Sequence, residues 1–222
     1  PAFRAGFVTL VGRSNAGKST LLNTLIGTKV AAVTHKPQTT RQAIHGVLNY
    51  DGAQAVFVDT PGVLKESHNP LSGKLLERVR ESLDSIDVVI YVVDPGKAIG
   101  AEERYIMSLI RHLEIPKILV INKCDLPKKE KMFLDDYKLL AEDGEFTAVF
   151  ELSALLGRHV EPLRKQVLEL LPVGEAIYPP DQITNISRDT WLSEVIREKI
   201  LLALRQEVPY TTHVEIESAE EK

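Results

Sequence analysis

Apolar runs of strand length alternate with helical stripes of apolar residues up to residue 171. Runs of this kind predict buried strands, and apolar positions three and four residues apart predict helices that bury one face. The predicted strands are Phe7–Val11, Val47–Tyr50, Ala53–Val58, Asp87–Val93, Lys117–Ile121 and Ala148–Leu152. The predicted helices are Lys18–Ile26, Ala101–His112, Glu130–Glu142 and Val160–Leu171.

The order of these elements predicts an α/β fold. Alternating strands and helices form a mostly parallel sheet with helices on both faces, here of six strands. One exception is expected near the start, where the turn pair Asp51-Gly52 separates two strands and predicts an antiparallel hairpin.

A domain boundary is predicted near residue 172. Pro172, Gly174, Pro179 and Pro180 interrupt helical continuation. We therefore expect one domain over residues 1–172 and a linker over 173–184. An amphipathic helix (Trp191–Gln206) and an alternating strand (Thr211–Glu217) follow, and because they cannot bury a core alone, residues 185–222 are expected to open a further, incomplete domain.

Composition narrows the class of protein. Apolar residues make up 44% and charged residues 26%, as in an ordinary globular protein. No apolar run approaches the ~20 residues of a membrane span, and the first residues do not resemble a signal peptide. The single cysteine, Cys124, excludes an internal disulfide and suits a reducing compartment. The net charge of −4 weakly disfavours extensive nucleic-acid contact.

A phosphate-binding loop is predicted between the first strand and the first helix. Its sequence fits G-x-x-x-x-G-K-[ST], and the strand–loop–helix context supports the motif. Glycines allow backbone N–H groups to turn toward phosphate oxygens at the helix N-terminus, the lysine reaches the β- and γ-phosphates, and the serine hydroxyl ligates Mg²⁺. The predicted nucleotide-binding residues are Gly12, Arg13, Ser14, Asn15, Ala16, Gly17, Lys18, Ser19 and Thr20.

A second motif follows the strand Ala53–Val58 and consists of Asp59, Thr60, Pro61 and Gly62. A carboxylate there can hold Mg²⁺, and the Gly62 N–H can respond to a γ-phosphate. Between the two motifs, Thr40 is expected to supply a hydroxyl to Mg²⁺, with Thr39 as the alternative. The metal ligands are therefore predicted to be Ser19, Thr40 and Asp59, and the catalytic groups to be Lys18, Thr40 and Gly62.

A third motif selects the base. Asn122, Lys123, Cys124 and Asp125 end the strand Lys117–Ile121. The Asp125 carboxylate can accept hydrogen bonds from N1–H and the 2-amino group of guanine, donors that adenine lacks, so an ATPase is disfavoured. Lys123 can cover the base, and Asn122 can tie this loop to the phosphate-binding loop. A backbone N–H at Ser153-Ala154 is expected to bind guanine O6.

Together these motifs predict a P-loop NTPase G domain that binds and hydrolyses GTP. Within that class the chain resembles the Era family. The resemblance lies in Lys36–Arg41, Val58–Gly62 and Ser193–Lys199, with further similarity in the tail from Glu207–Tyr210 through Val214–Glu217. It implies that residues 185–222 begin an α+β KH-type RNA-binding domain.

The resemblance also implies partners. Era-family proteins bind the 3′ end of small-subunit (16S) ribosomal RNA during assembly of the 30S subunit. They are cytoplasmic and also associate with the inner face of the cell membrane.

Two features of this sequence depart from the pattern of the family. The last glycine is Gly174, so a G-x-x-G loop is absent from residues 185–222, and those residues carry five basic against eight acidic side chains, a balance of 5 − 8 = −3.

Turnover is expected to be slow. Val63 follows Gly62 where small GTPases place a water-orienting glutamine nearby. Related GTPases with an asparagine at the Asn15 position bind K⁺ there, so Asn15 is expected either to coordinate K⁺ or only to brace the loop. The next residue is Ala16 where the family more often has valine, a conservative difference.

Two other functions are considered. One is a GTP-dependent switch that recruits protein or membrane partners without contacting RNA. The other is a GTPase of transfer-RNA modification, which shares the motifs around Thr40 and Asp59 but would need a large extra domain and a C-terminal cysteine that this sequence does not contain.

Overall fold

The computed structural model describes residues 2–30, 45–58, 85–143 and 145–184, with the short stretches 192–193, 195–196, 199–200 and 214–216. Among these described residues the strands are β1 (Arg4–Val11), β2 (His45–Tyr50), β3 (Ala53–Val58), β4 (Val88–Val93), β5 (Lys117–Ile121) and β6 (Ala148–Glu151). The helices are α1 (Lys18–Ile26), α2 (Ala101–Arg111), α3 (Leu134–Asp143) and α4 (Val160–Leu170), with a 3₁₀ turn at Lys128–Glu130.

Within the described residues the strands form one six-stranded sheet in the order β2-β3-β1-β4-β5-β6. All neighbouring pairs are parallel except β2 and β3. The predicted hairpin is confirmed: β2 and β3 pair antiparallel, and Gly52 between them has a φ of 75°, which suits a tight turn. The predicted mostly parallel α/β fold is confirmed.

Strand β4 shows how the two faces of the sheet are filled. Val88, Ile90 and Val92 face one hydrophobic core, whereas Val89, Tyr91 and Val93 face another. The first core includes apolar residues of α1 and α4, and the second includes those of α2 and α3. Because β4 is buried on both sides, its sequence is continuously apolar instead of alternating.

Two predicted boundaries differ from the structure by three residues or more. Strand β1 begins three positions before Phe7, because Arg4, Ala5 and Gly6 also pair with β3. The helix predicted over Glu130–Glu142 begins only at Leu134, after a 3₁₀ turn. Two aspartates in the first turn of α3 favour that start, since carboxylates stabilise a helix N-terminus.

The segment predicted as a linker packs along the sheet. At its beginning Ala5 N–H donates to Pro172 O at 3.1 Å and Gly174 N–H donates to Phe3 O at 3.1 Å. At its end Val47 N–H donates to Ile183 O at 2.9 Å, beside an antiparallel bridge between Gly46 and Thr184. Residues 172–184 thus run past the β1 end and bond to the exposed edge of β2.

Gln54 fastens the middle of that segment. Its side chain is fully buried (0% exposed), and its Oε1 accepts the N–H groups of Ile177 at 2.7 Å and Tyr178 at 2.9 Å. Its Nε2 donates to Tyr178 O at 2.8 Å and to Asn49 Oδ1 at 2.7 Å. A buried amide with every bond satisfied specifies the path of the segment it holds.

The further domain is described only in part. Residues 192–193, 195–196 and 199–200 are helical, as predicted for Trp191–Gln206. Residues 214–216 lie within the strand predicted over Thr211–Glu217 but form none, and the described residues supply no partner strand for them. The boundaries at residues 172 and 184 stay predictions. Among the described residues, no helix has the length and apolar character needed to cross a bilayer.

Replacing Gln54 by leucine is expected to release residues 177–178 from the sheet. The N–H groups of Ile177 and Tyr178 lose the acceptor that they share, and the loss of two hydrogen bonds costs about 1–3 kcal/mol. Hydrogen exchange should show both amides losing protection, with a lower free energy of unfolding.

Glu175→Gln is the matched control, since its exposed side chain lies on the same segment. It should leave both quantities unchanged. Protected amides at Ile177 and Tyr178 in the leucine variant would mean that Gln54 does not hold this segment.

Candidate functional site

Four loops meet at one edge of the sheet. They follow β1 (residues 12–17), β4 (from Asp94), β5 (Asn122–Asp125) and β6 (Ser153-Ala154). These four strands are neighbours in the sheet and run parallel, so their carboxyl ends lie side by side. Such an edge is where open α/β sheets bind ligands.

Two glycines shape the loop after β1. Gly12 has a φ of +148°, and a Cβ there would lie 2.2 Å from Val92 O. Gly17 has a φ of +98°, and a Cβ there would lie 2.2 Å from the Asn122 Nδ2. Glycine is therefore required at both positions by the left-handed backbone and by the close approach of strand β4 to Gly12 and of the Asn122 side chain to Gly17.

The N-terminus of α1 is arranged to receive an anion. The helix starts at Lys18 without a side-chain cap and has no acidic residue in its first turn. The first N–H groups of an α-helix point out of its N-terminal end, toward any ligand bound there. The Lys18 Nζ folds back over the loop and donates to Gly12 O and Arg13 O, each at 2.7 Å. An ammonium and a helix N-terminus thus share one small volume, as phosphate binding requires.

Asn122 joins the loops, as predicted. Its side chain is 2% exposed, and its Nδ2 donates to Ala16 O in the phosphate-binding loop at 2.9 Å. Its Oδ1 accepts the Ala154 N–H from the loop after β6 at 3.0 Å. One side chain therefore fixes the distance between the loop that would hold phosphates and the loop that would hold the base.

Lys123 spans the same gap from the neighbouring position. Its backbone has a left-handed φ of 62°. Its Nζ donates to Asn15 O at 2.9 Å and lies 2.6 Å from the Asp94 Oδ2. The link from Asp94 to Lys123 carries no signal in the sequence.

Asp125 carries an unused acceptor. Its Oδ1 is buried and has no hydrogen-bond partner among the described residues. The loop around it is held from both sides: Cys124 N–H donates to Leu152 O at 3.0 Å, and Lys131 Nζ donates to Cys124 O at 2.9 Å. A buried carboxylate oxygen without a donor is costly, so a ligand donor at this point fits the site.

The loop after β6 makes its own contacts. Ser153 N–H donates to Arg158 O at 3.1 Å, and the Ala154 N–H is the one that Asn122 accepts. Thr24 of α1 donates to Ala154 O at 2.8 Å, which also ties this loop to the first helix. Contact of Ser153 or Ala154 with guanine O6 stays a prediction, since both amides have acceptors within the protein.

Arg13 and Ser14 are anchored to α2. The Arg13 Nη1 lies 3.0 Å from the Glu103 Oε1, a carboxylate only 1% exposed, and Ser14 N–H donates to Glu102 Oε1 at 3.4 Å. Arg13 therefore contributes its backbone to the loop, while its side chain anchors the loop to α2 through Glu103.

Two buried tyrosines lie near this ion pair. Burial raises the pKa of Tyr91, with the charges of Tyr137 and Glu103 adding to the effect. Burial likewise raises the pKa of Tyr137, and Glu103 adds to it. Both hydroxyls stay neutral at physiological pH, so neither contributes a charge change to the site.

Several predicted site residues lie outside the described residues: Thr39, Thr40, Asp59, Thr60, Pro61, Gly62 and Val63. Their roles stay predictions. Strand β3 is described, and residue 59 is the next residue of the chain after it. β3 pairs with β1, the strand that precedes the phosphate-binding loop.

A comparison with protein families matches residues 7–123 to a model described as a 50S ribosome-binding GTPase. GTPase Era of Caldanaerobacter subterraneus subsp. tengcongensis is 41% identical over 221 residues, which cover all of this chain and 74% of that protein.

The chain belongs to the Era family of GTPases.

Solved structures agree with this assignment. Era of Aquifex aeolicus bound to GDP and AlF₄⁻ superposes with a TM-score of 0.78 at 36% identity and covers 93% of this chain and 70% of that one. A second Era structure, in complex with MgGDPNP and nucleotides 1506–1542 of 16S ribosomal RNA, gives 0.79 at 35% identity, over 94% of this chain and 70% of the other. As an Era-family member, this chain is a GTP hydrolase, and the predicted family is confirmed.

Gly17→Ala is expected to abolish nucleotide binding. The new Cβ would meet the Asn122 Nδ2 at 2.2 Å and force apart the bond that holds the phosphate-binding loop. Binding of a fluorescent GDP analogue measures the loss, which should exceed a hundredfold because loop geometry and the anion site fail together.

Gly27→Ala is the matched control on the same helix. Gly27 also has a left-handed φ of +82°, but a Cβ there meets nothing within 4 Å. The control should lose about 1 kcal/mol of stability from backbone strain alone and should bind GDP normally. Equal GDP affinity in the two variants would show that the approach of Gly17 to Asn122 does not control the site.

Proposed function

We propose that this chain is a GTP-driven switch that binds small-subunit ribosomal RNA and acts in assembly of the 30S subunit. The observation that carries this proposal is the match to the Era structure in complex with MgGDPNP and nucleotides 1506–1542 of 16S ribosomal RNA, which covers 94% of this chain. The relation at 41% identity to a GTPase Era supports the same reading.

Guanine selection is assigned to Asp125. Its buried, unpartnered Oδ1 fits a donor on the base, and the polar edge of guanine offers N1–H and the 2-amino group. Adenine would leave the carboxylate unsatisfied, a mismatch that discriminates strongly. The aliphatic chain of Lys123 would cover the base, and Ser153-Ala154 would lie at its O6 side.

Phosphate binding is assigned to Lys18 and to the amides of residues 12–20. The ammonium that now donates to two loop carbonyls is within reach of phosphate oxygens, and the α1 N-terminus favours their negative charge. The hydroxyls of Ser19 and Thr40 and the carboxylate of Asp59 offer the hard oxygen donors that suit Mg²⁺. When bound, Mg²⁺ neutralises charge on the β- and γ-phosphates. The Gly62 N–H would respond to the γ-phosphate.

Turnover is expected to be slow because Val63 cannot orient a water molecule. The Asn15 backbone is held in a left-handed conformation (φ 63°) by the bond from Lys123 to its carbonyl, while its side chain is exposed. A fixed backbone with an exposed side-chain oxygen suits a K⁺ ligand.

Replacing K⁺ by Na⁺ should therefore slow GTP hydrolysis, and Asn15→Ala should abolish the difference between the two ions. Steady-state phosphate release measures both. Equal rates in K⁺ and Na⁺ for the wild type would leave Asn15 as a brace of the loop only.

A second candidate function is a switch that recruits a protein or membrane partner without contacting RNA. The acidic balance of residues 185–222, five basic against eight acidic side chains, favours it. Under either function we expect a cytoplasmic protein. Binding to anionic vesicles tests whether it also associates with the inner face of the cell membrane.

RNA binding separates the two candidates. In MgGDPNP, a fluorescently labelled RNA with the sequence of nucleotides 1506–1542 of 16S ribosomal RNA should bind more tightly than a scrambled RNA of equal composition. Affinity should fall as salt rises, since phosphate contacts release counterions. Equal affinity for the two RNAs, together with nucleotide-dependent binding to anionic vesicles, would favour the recruitment switch instead.

A further inference from the structure

Asp94 uses both oxygens of a nearly buried carboxylate. It follows β4 at the ligand-binding edge of the sheet and is 6% exposed. Its Oδ2 lies 2.6 Å from the Lys123 Nζ, and its Oδ1 accepts the Gly96 N–H at 2.9 Å. One oxygen therefore binds Lys123 in the loop after β5, and the other accepts a hydrogen bond from Gly96 in the turn that follows β4.

The Lys123 ammonium is held between two acceptors. Besides Asp94 it contacts Asn15 O at 2.9 Å, so Asp94, Lys123 and Asn15 form a continuous link from β4 to the phosphate-binding loop. A free lysine side chain loses rotamer entropy when it is immobilised. A group that fixes the lysine in advance removes that cost from ligand binding.

We propose that Asp94 is a positioning residue for nucleotide binding: it holds the Lys123 ammonium so that the lysine chain lies ready over the base and braces Asn15. This inference rests on the proposed guanine site. Asp94 itself contacts no ligand and acts through Lys123, and it sets chiefly the rate at which nucleotide leaves.

A purely structural role would act through the other oxygen. A Cβ at Gly96 would lie 2.9 Å from Glu130 O, so this turn is packed tightly, and the bond from Gly96 N–H to Asp94 contributes to its stability. Asp94→Asn separates the two roles, because an asparagine keeps an oxygen for Gly96 while it removes the negative charge that faces Lys123.

The experiment measures dissociation of a fluorescent GDP analogue from the wild type, Asp94→Asn, Lys123→Met and the double variant. Loss of a charge-assisted bond predicts about tenfold faster dissociation for Asp94→Asn. In the Lys123→Met background the same substitution should change the rate less than twofold, because its partner is gone.

Asp87→Asn is the matched control. Asp87 immediately precedes the opposite end of β4, and its carboxylate also accepts a backbone N–H, that of Phe7 at 2.7 Å. This variant should melt at a lower temperature but release GDP at the wild-type rate. If Asp94→Asn does not fold, Asp94→Glu takes its place, since it keeps the charge but displaces it, and the same dependence on Lys123 is expected.

Two results would overturn the inference: a wild-type dissociation rate in the Asp94 variant, or an acceleration that is equally large with and without Lys123. Failure of the wild type to bind GDP is a different result, because it would remove the guanine site itself and this inference with it.

Discussion

The side-chain amide of Asn122 is the contact on which the geometry of the site depends. It donates to Ala16 O and accepts from Ala154 N–H, so one buried residue joins three loops that leave three different strands. Because Gly17 approaches this amide more closely than any side chain would allow, the glycine and the asparagine specify each other. The relative position of the proposed phosphate and base subsites follows from this one constraint.

The sheet makes that constraint possible. Its central strand β4 is buried on both faces, and each face packs against helices of its own core. A strand fixed in this way cannot shift without disturbing two cores. The loops at its carboxyl end therefore start from defined positions, and Asp94 can hold Lys123 across the gap to β5.

The sheet is also bonded to the segment that leads from the last helix toward residue 185. Residues 172–184 bond to β1 and β2 and are fastened by Gln54 of β3. β2 and β3 border the segments that contain Thr40 and Asp59, the proposed switch residues. The path of the chain toward residue 185 is therefore set by the same hairpin that flanks these segments.

Much of the fold and of the candidate site could be predicted from the sequence, because spacing and turn residues within short segments indicate them directly. The bounds of α1 and the turn at Asp51-Gly52 are fixed by spacing and turn chemistry within a few residues, and the motifs identify Lys18, Asn122 and Asp125. Contacts between distant segments left no such signal. The capture of the 172–184 segment by Gln54 and the pairing of Asp94 with Lys123 depend on which strands become neighbours.

The most direct test of the account is nucleotide selectivity at Asp125. Affinities of GDP, XDP and ADP with Mg²⁺ should be measured for the wild type and for Asp125→Asn. The account predicts tight GDP binding and negligible ADP binding by the wild type, and a shift toward XDP in the variant, whose amide can donate to the 2-oxo group of xanthine. If ADP competes with GDP on equal terms, or if the variant keeps its preference for GDP, Asp125 does not select guanine.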